Sequence, residues 1–403
     1  MVTEGGANRP SRPDRGTNWR ESIRRLLLAR SDHLGDLVLF SGALRRFRRL
    51  FPRAKIVYVT PKGLGDLVAL CPHVDEWRTW EELEAASLVG EVTGRIRGMR
   101  VPPLLERQWR RLRQQLGTSP AFKPDVLIQP MRSPWGGERG THAVVRGIPA
   151  RFRYGICGDF SNQTQEDDDR AGSAYTRRLC LGPEDVSRHE LDVTAEFLRF
   201  LGDQAELDDI WPELWTAAED QLWAENLFAS SAAGIRVALC PGAAMPQKVP
   251  EPGIWARALG AISGARFSVE VLGTAQEADL CGRVAADVRG LPNVVGARNW
   301  AGSTTLGQFT EALRYTDVVL GPDAGGIHIA IALRRPTVAV VGGGHYGRFL
   351  PWGDPVMNRV VTRRLDCFGC GWRCVRASTE CVVTVGADEV AAEIDAVLRS
   401  RCG

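Results

Sequence analysis

The segment IRRLLLARSDHLGDLVLFSGALRRFRRLFPRAKIVYVT, residues 23–60, decides the fold. Residues 23–29 form an apolar run of strand length. A polar loop follows over residues 30–35. Leu37, Phe40, Leu44, Phe47 and Phe51 then recur at helical spacing over residues 36–51, and Pro52 stops the helix. Residues 55–60, with Ile56, Val57, Tyr58 and Val59 in succession, read as a second buried strand. Two strands joined through a helix run parallel in one sheet.

The alternation continues outward. Residues 81–116 are helical and arginine-rich, 126–129 a strand, 143–148 a helix and 190–201 an amphipathic helix. Residues 162–170, acidic and polar, read as a mobile loop, and 208–214 as a linker. A second α/β series follows. Its strands are expected at 236–240, 267–272, 317–320 and 337–341. Its helices are expected at 254–263, 277–289, 306–314, 326–333 and 388–398. The expected fold class is therefore α/β, with two Rossmann-like doubly wound domains. The domain reading is a disordered leader over 1–22, an N-terminal domain over 23–210 and a C-terminal domain over 211–385. The last helix, 386–403, is expected to cross back to the N-terminal domain.

Composition sets the outer bounds. A chain of 403 residues with 44% hydrophobic and 25% charged residues buries full cores, which excludes a disordered chain, a collagen and a small disulfide scaffold. The 51 Lys+Arg nearly balance 48 Asp+Glu, and a net charge of +3 gives no footprint for nucleic acid. Only four of the positive residues are lysines: Lys55, Lys62, Lys123 and Lys248. No run of 18 apolar residues suggests a membrane span, and residues 1–22 lack a signal-peptide core. Ten cysteines without an export signal suggest a reducing cytoplasm, with thiols or metal ligands favoured over disulfides.

Five constellations carry chemistry. In RSDHLGDLV, residues 30–38, Gly35 permits an unusual turn and Asp36 opens a helix, either as its cap or as a general base. Residues 64–68, LGDLV, repeat that pattern, and there Asp66 reads as a cap. In CPGAAMPQK, residues 240–248, a small-residue turn ends on Lys248, a point charge for an anion. In GPDAGGIHIA, residues 321–330, Gly325 and Gly326 open a helix after a strand and offer amides for phosphate. Asp323 suits sugar hydroxyls there, and His328 either bonds the ligand or satisfies core polar groups. The glycine-rich turn Gly342-Gly343-Gly344 lacks the full dinucleotide fingerprint, and reads as a second wall of the site rather than an NAD loop. Finally, Cys367, Cys370, Cys374 and Cys381 form a C-x2-C-x3-C-x6-C cluster. It suits one structural zinc or iron, or else reduced or disulfide-linked cysteines.

Two of these stretches, RSDHLGDLV and GPDAGGIHIAIALRRPT, together resemble the heptosyltransferases of glycosyltransferase family nine. The resemblance spans roughly residues 24–398, and Lys248 before Trp255 supports it. It implies a GT-B fold, whose two domains face a central cleft. The implied activity is inverting, metal-independent transfer from a nucleotide-diphosphate sugar, ADP-heptose or a GDP-sugar. The acceptor is a glycan, a lipid-linked sugar, a protein or a small-molecule natural product. Nucleic acid is not an expected partner. No cofactor is required for catalysis, and the location is cytoplasmic or peripheral to the membrane. By the same resemblance Asp36 is the general base, with His33 and Gly35 on the acceptor side. Lys248 and the amides of Ala324, Gly325 and Gly326 hold the diphosphate. Asp323 and His328 line the donor sugar, Glu277 matches a ribose-binding acid, and Thr304 or Thr305 lies near the nucleobase. The family's hydroxyls are replaced by Ala324, Ala243 and Ala244. Their loss keeps a second reading in play, a non-catalytic nucleotide-sugar-binding protein of the same fold.

Overall fold

A computed structural model describes residues 2–4, 19–96, 123–133, 140–229 and 234–400. They build two α/β units. The first gathers Met1–His33, Gly42–Val186 and Leu191–Ile210; the second gathers Leu34–Ser41, Ser187–Glu190 and Trp211–Gly403.

The first unit holds strands β1 (Val2–Glu4), β2 (Arg25–Ala29), β3 (Lys55–Thr60), β4 (Glu76–Thr79), β5 (Val126–Gln129), β6 (Phe152–Cys157) and β7 (Arg177–Cys180). Their order is β1-β7-β6-β5-β2-β3-β4, parallel throughout except where β1 runs antiparallel to β7. From β2 the chain winds outward to β3 and β4, then jumps to β5 and winds the other way. This is the Rossmann order, with its reversal between β2 and β5. Past the first residue of each, β2, β3 and β5 are buried at every position. Continuous apolar runs such as Leu26-Leu27-Leu28 are what a parallel sheet covered on both faces requires.

The second unit holds β8 (Ile235–Leu239), β9 (Phe267–Val271), β10 (Val294–Asn299), β11 (Val318–Pro322), β12 (Thr337–Val340) and β13 (Asn358–Val361). The order β10-β9-β8-β11-β12-β13 is wholly parallel and reverses between β8 and β11. Side chains alternate along each strand. Val237, Leu239, Val318, Leu320, Val338 and Val340 face one core, with Trp255 and the helix Ala387–Ser400. Ala238, Val319 and Ala339 face the other, with Ile327 and Ile331 of helix Gly325–Ala332. The small residues thus sit under the helix that carries the glycine-rich motif.

Several expectations change. The helix over 36–51 is two helices, Leu34–Ser41 and Ala43–Leu50, interrupted at Gly42. The polar segment 162–170 is not a mobile loop: Gln165–Ala171 is a helix. Thr164 accepts from the Asp167 amide at 3.1 Å and Asp167 accepts from the Thr164 amide at 3.3 Å, so the acidic first turn is a capping box. The helix expected over 81–116 is described as Trp80–Ile96, and residues 97–122 lie outside the described residues. Within the leader expected over 1–22, Val2–Glu4 is a strand and Trp19–Ser22 a helical turn. Helix Ala387–Ser400 packs within the second unit, where Val390, Ile394 and Val397 are fully buried in the core.

Cys157 and Cys180 are disulfide-bonded, contrary to the preference for thiols. They are register partners on adjacent strands, which puts their Cα atoms 4.5 Å apart, within bridging reach. No helix among the described residues is long and apolar enough to cross a membrane.

The first unit also carries a pH-sensitive side chain. The buried His142 ring lies 2.9 Å (Nδ1) from the Tyr175 hydroxyl and 2.8 Å (Nε2) from Gln163 Oε1. Burial pulls its pKa below the ordinary 6.5, and the Gln163 bond only partly offsets this. The unfolded chain therefore takes up a proton near 6.5 that the folded chain refuses, and stability falls as pH drops through that value. Thermal midpoints measured from about pH 7 to about pH 5 are expected to fall less steeply in His142→Gln than in the wild type.

Candidate functional site

Ligands of doubly wound sheets bind beyond the strand ends where the order reverses. In the second unit that place lies between β8 and β11. The two chains leave their strands in close contact. A Cβ on Gly321 would approach the Cys240 carbonyl to 2.5 Å, and one on Gly326 would lie 3.0 Å from Cys240 Sγ. Glycine is needed at Gly321 for this approach, not for a left-handed turn.

From β11 comes Asp323, whose amide donates to Val340 at 3.2 Å. From the turn Pro246–Lys248 after β8 comes Lys248. Lys248 Nζ donates to Asp323 Oδ2 at 2.7 Å, with side chains only 14% and 6% exposed. Lys248 is therefore not a solvated surface lysine. His328 Nε2 lies 3.4 Å from the other carboxylate oxygen. Trp352 Nε1 donates to His328 Nδ1 at 3.0 Å. An indole only donates, so Nδ1 accepts and the ring proton sits on Nε2, facing Asp323. Burial alone would raise the Asp323 pKa. The Lys248 ammonium and the His328 bond outweigh it and hold the carboxyl well below the usual carboxylate range. The result is a four-membered chain, Lys248–Asp323–His328–Trp352.

Asp36 stands beside it, within the same unit. It lies half-buried in the first turn of helix Leu34–Ser41, and that helix packs on Gly325–Ala332. A Cβ on Gly35 would sit 2.9 Å from His328 Cδ2, and one on Gly325 would sit 2.6 Å from Leu34 Cδ2. Gly35 is thus a close-approach glycine inside a helix, not the unusual turn expected of it. The look-alike at Gly65 and Asp66 now separates from it. Gly65 lies against the Trp77 ring and Asp66 is exposed. Nor is Asp66 a cap, since Leu64 holds the position before that helix. His33 is exposed in the loop after β2.

The remaining predicted residues are placed as follows. Ala324 occupies the N-cap of Gly325–Ala332 in extended conformation and supplies no side-chain cap. The amides of Gly325 and Gly326 belong to the first turn, where no intrahelical acceptor exists. Glu277 Oε2 accepts from the Thr274 amide at 2.7 Å and hydroxyl at 2.9 Å, and its carboxylate lies against Gly242 of the small-residue turn. Thr304 is half-buried in the turn before helix Leu306–Arg314, while Thr305 caps that helix. The thiol of Cys240 is pushed up far by burial and that of Cys281 up to about 12, so neither is a nucleophile.

Two expectations are corrected. Gly342, Gly343 and Gly344 do not form an open wall. Side chains there would run into the rings of Trp372 and Phe368, so the triplet is a floor on which the cysteine-rich segment lies. The four thiols of that segment line one small cavity. Among the described residues no group of three or more His, Cys, Asp or Glu is arranged to hold a metal ion.

Sequence reasoning missed Trp352, Phe349 and Trp372, which lie outside any periodic pattern. It also missed what holds the 345–352 turn. His189 Nε2 donates to the Phe349 carbonyl at 3.0 Å, and Arg348 Nε donates to Glu190 Oε1 at 2.8 Å in a buried pair.

The model of glycosyltransferase family 9 (heptosyltransferase) matches residues 177–370. Lipopolysaccharide heptosyltransferase 2 of Escherichia coli (strain K12) is 22% identical over 322 residues, which cover 79% of this chain and 82% of that protein. Among solved structures, the ADP-heptose lipopolysaccharide heptosyltransferase II of E. coli matches with a TM-score of 0.63 at 18% identity, over 94% of this chain and 100% of that one. The iron-containing dodecameric glycosyltransferase TibC of enterotoxigenic E. coli matches with a TM-score of 0.52 at 14% identity, over 94% of this chain and 77% of that one. The α/β fold of two doubly wound sheets is that of the GT-B glycosyltransferases.

The Lys248–Asp323 pair has a measurable signature. Asp323→Ala strands a buried ammonium, which costs about 3–5 kcal/mol. Replacing both partners, Lys248→Met with Asp323→Leu, is expected to cost less than Asp323→Ala alone. Urea midpoints of the two variants check the order.

Proposed function

We propose that this chain is a member of glycosyltransferase family 9, whose model matches residues 177–370, and that it is an inverting, metal-independent glycosyltransferase moving a heptose-like sugar from a nucleotide diphosphate to an acceptor hydroxyl. The observation that carries this reading is the Lys248–Asp323–His328 chain at the order reversal of the second sheet, with Asp36 on the helix that Gly35 seats against His328. ADP-heptose or a GDP-sugar is the donor. The acceptor is a glycan, a lipid-linked sugar, a protein or a small-molecule natural product. The enzyme works in the cytoplasm or at its membrane face.

The chemistry runs as a single displacement. The Asp36 carboxylate takes the acceptor hydroxyl proton as that oxygen attacks the anomeric carbon from the face opposite the diphosphate. The bond from the anomeric carbon to the diphosphate oxygen breaks, and its electron pair leaves with the diphosphate. Lys248 and the first amides of Gly325–Ala332 stabilise the growing negative charge, the part a divalent cation plays in other glycosyltransferases. Asp323 and His328 line the donor sugar, Asp323 also fixing where the ammonium stands. Glu277 holds the ribose, and Thr304 borders the base.

The replaced hydroxyls at Ala324, Ala243 and Ala244 favour the second reading, a nucleotide-sugar-binding protein without turnover. The uncapped N-terminus at Ala324 is its supporting observation. The four thiols that line the cysteine cavity are free and are not arranged around a metal ion, so they are read as reduced cysteines.

Transfer from ADP-heptose, followed by mass spectrometry of the acceptor, tests the reading. Asp36→Asn is expected to lower kcat by at least about 100-fold while calorimetric donor affinity stays unchanged. Equal transfer by both proteins would remove Asp36 as the base. Binding without transfer by either establishes the binding-protein reading. Elemental analysis of the purified protein tests the reduced-thiol reading: stoichiometric zinc or iron would overturn it.

A further inference from the structure

We propose that Trp372, carried by the cysteine-rich segment, is a positioning residue for Lys248. That segment is then part of the diphosphate side of the site rather than a separate structural appendage. The inference rests on the reading of Lys248 as the diphosphate's partner.

Three groups surround the Lys248 ammonium. Asp323 takes a hydrogen bond at 2.7 Å, and the ring centroids of Trp372 and Phe349 each lie 5.7 Å from Nζ. Both rings are within the reach at which an aromatic face attracts a cation. The carboxylate pulls the ammonium in one direction; the two faces limit where else it swings. A lysine has four rotatable side-chain bonds, so a single hydrogen bond leaves it loosely placed. Two additional walls make its position a property of the fold.

The indole is held there at a conformational cost. Trp372 adopts φ +62°, a left-handed conformation that bulky residues avoid, between Gly369 at +82° and Gly371 at +59° on one side and Arg373 on the other. The amides of Gly369 and Gly371 donate to the carbonyls of Gly343 and Gly344 at 2.8 and 3.0 Å. The ring then lies on Gly342 and Gly344, where any side chain would collide with it. Five glycines, at 342, 343, 344, 369 and 371, thus seat one indole. Trp372 is only 9% exposed, and its indole N–H has no hydrogen-bond partner within the described residues. What it offers Lys248 is its π face and its bulk, not a hydrogen bond.

The scarcity of lysine makes a direct test practical. Protein labelled with 13Cε-lysine has four lysine Cε–Hε signals, and Lys248→Arg identifies one of them. Ring currents are expected to set the Lys248 signal apart from those of Lys55, Lys62 and Lys123. Trp372→Leu is expected to move it most of the way back, and Trp372→Phe to leave it displaced. In transfer assays Trp372→Leu should lower kcat/KM for the donor roughly threefold to thirtyfold. In a Lys248→Ala background the same substitution should add less than about twofold, because the group it positions is gone. A merely structural role predicts multiplicative losses instead, with Trp372→Phe no better than Trp372→Leu. The proposal is overturned if the Lys248 signal sits among the other three in wild type, or if the losses multiply. If the signal is displaced by Trp372 but neither ADP-heptose, ADP nor inorganic diphosphate perturbs it, the positioning stands and the donor reading falls.

Discussion

The buried ion pair between Lys248 and Asp323 is the constraint around which the second unit is arranged. Two opposite charges, nearly out of water, persist only if both are held in place and the remaining lone pairs are met. The sheet supplies the placement, because β8 and β11 are neighbours at the point where the chain reverses its winding. His328 meets the second carboxylate oxygen, and Trp352 fixes which imidazole nitrogen faces it. The helix that carries His328 needs room for its neighbour, which Gly35 and Gly325 provide. Each of these requirements follows from keeping one carboxylate ionised away from solvent.

Close approach, more than turn geometry, explains the glycines of the site. Gly35, Gly321, Gly325, Gly326 and Gly342 all lack the positive φ that marks a glycine-only backbone. In each case a methyl group would crowd a neighbour: the His328 and Trp372 rings at Gly35 and Gly342, the Cys240 carbonyl at Gly321, and the Leu34 and Cys240 side chains at Gly325 and Gly326. The same residue type at Gly65 admits Trp77 instead of His328, so two identical LGDLV strings end in unlike surroundings.

Much of the fold was legible because parallel strands buried on both faces announce themselves as apolar runs. Leu26-Leu27-Leu28, Ile56-Val57-Tyr58-Val59 and Val318-Val319-Leu320 could hardly be anything else. The strands that escaped notice lack that signature. Glu76–Thr79 and Arg177–Cys180 carry charges, the interior strand Phe152–Cys157 is broken up by Arg153 and Gly155, and Val294–Asn299 and Asn358–Val361 are edge strands whose outer side needs no apolar partner. At the site, the motifs were visible but their pairing was not. Lys248 and Asp323 are 75 positions apart, and no local pattern tells a lysine after one strand that its partner follows another. The acidic stretch before Arg170 misled for the opposite reason: its polarity suggested a loop, while its Thr164 and Asp167 were the two halves of a cap.

The glycine floor at 342–344 has an evolutionary consequence. Three adjacent positions tolerate no side chain because Phe368 and Trp372 lie on them. Drift at the floor and drift at the two rings are therefore not independent: a methyl gained at one end requires a ring lost at the other. Across descendants of this chain, the triplet and the two aromatics should be inherited or discarded together. A homologue that kept the glycines while losing both rings would be carrying a pavement with nothing standing on it.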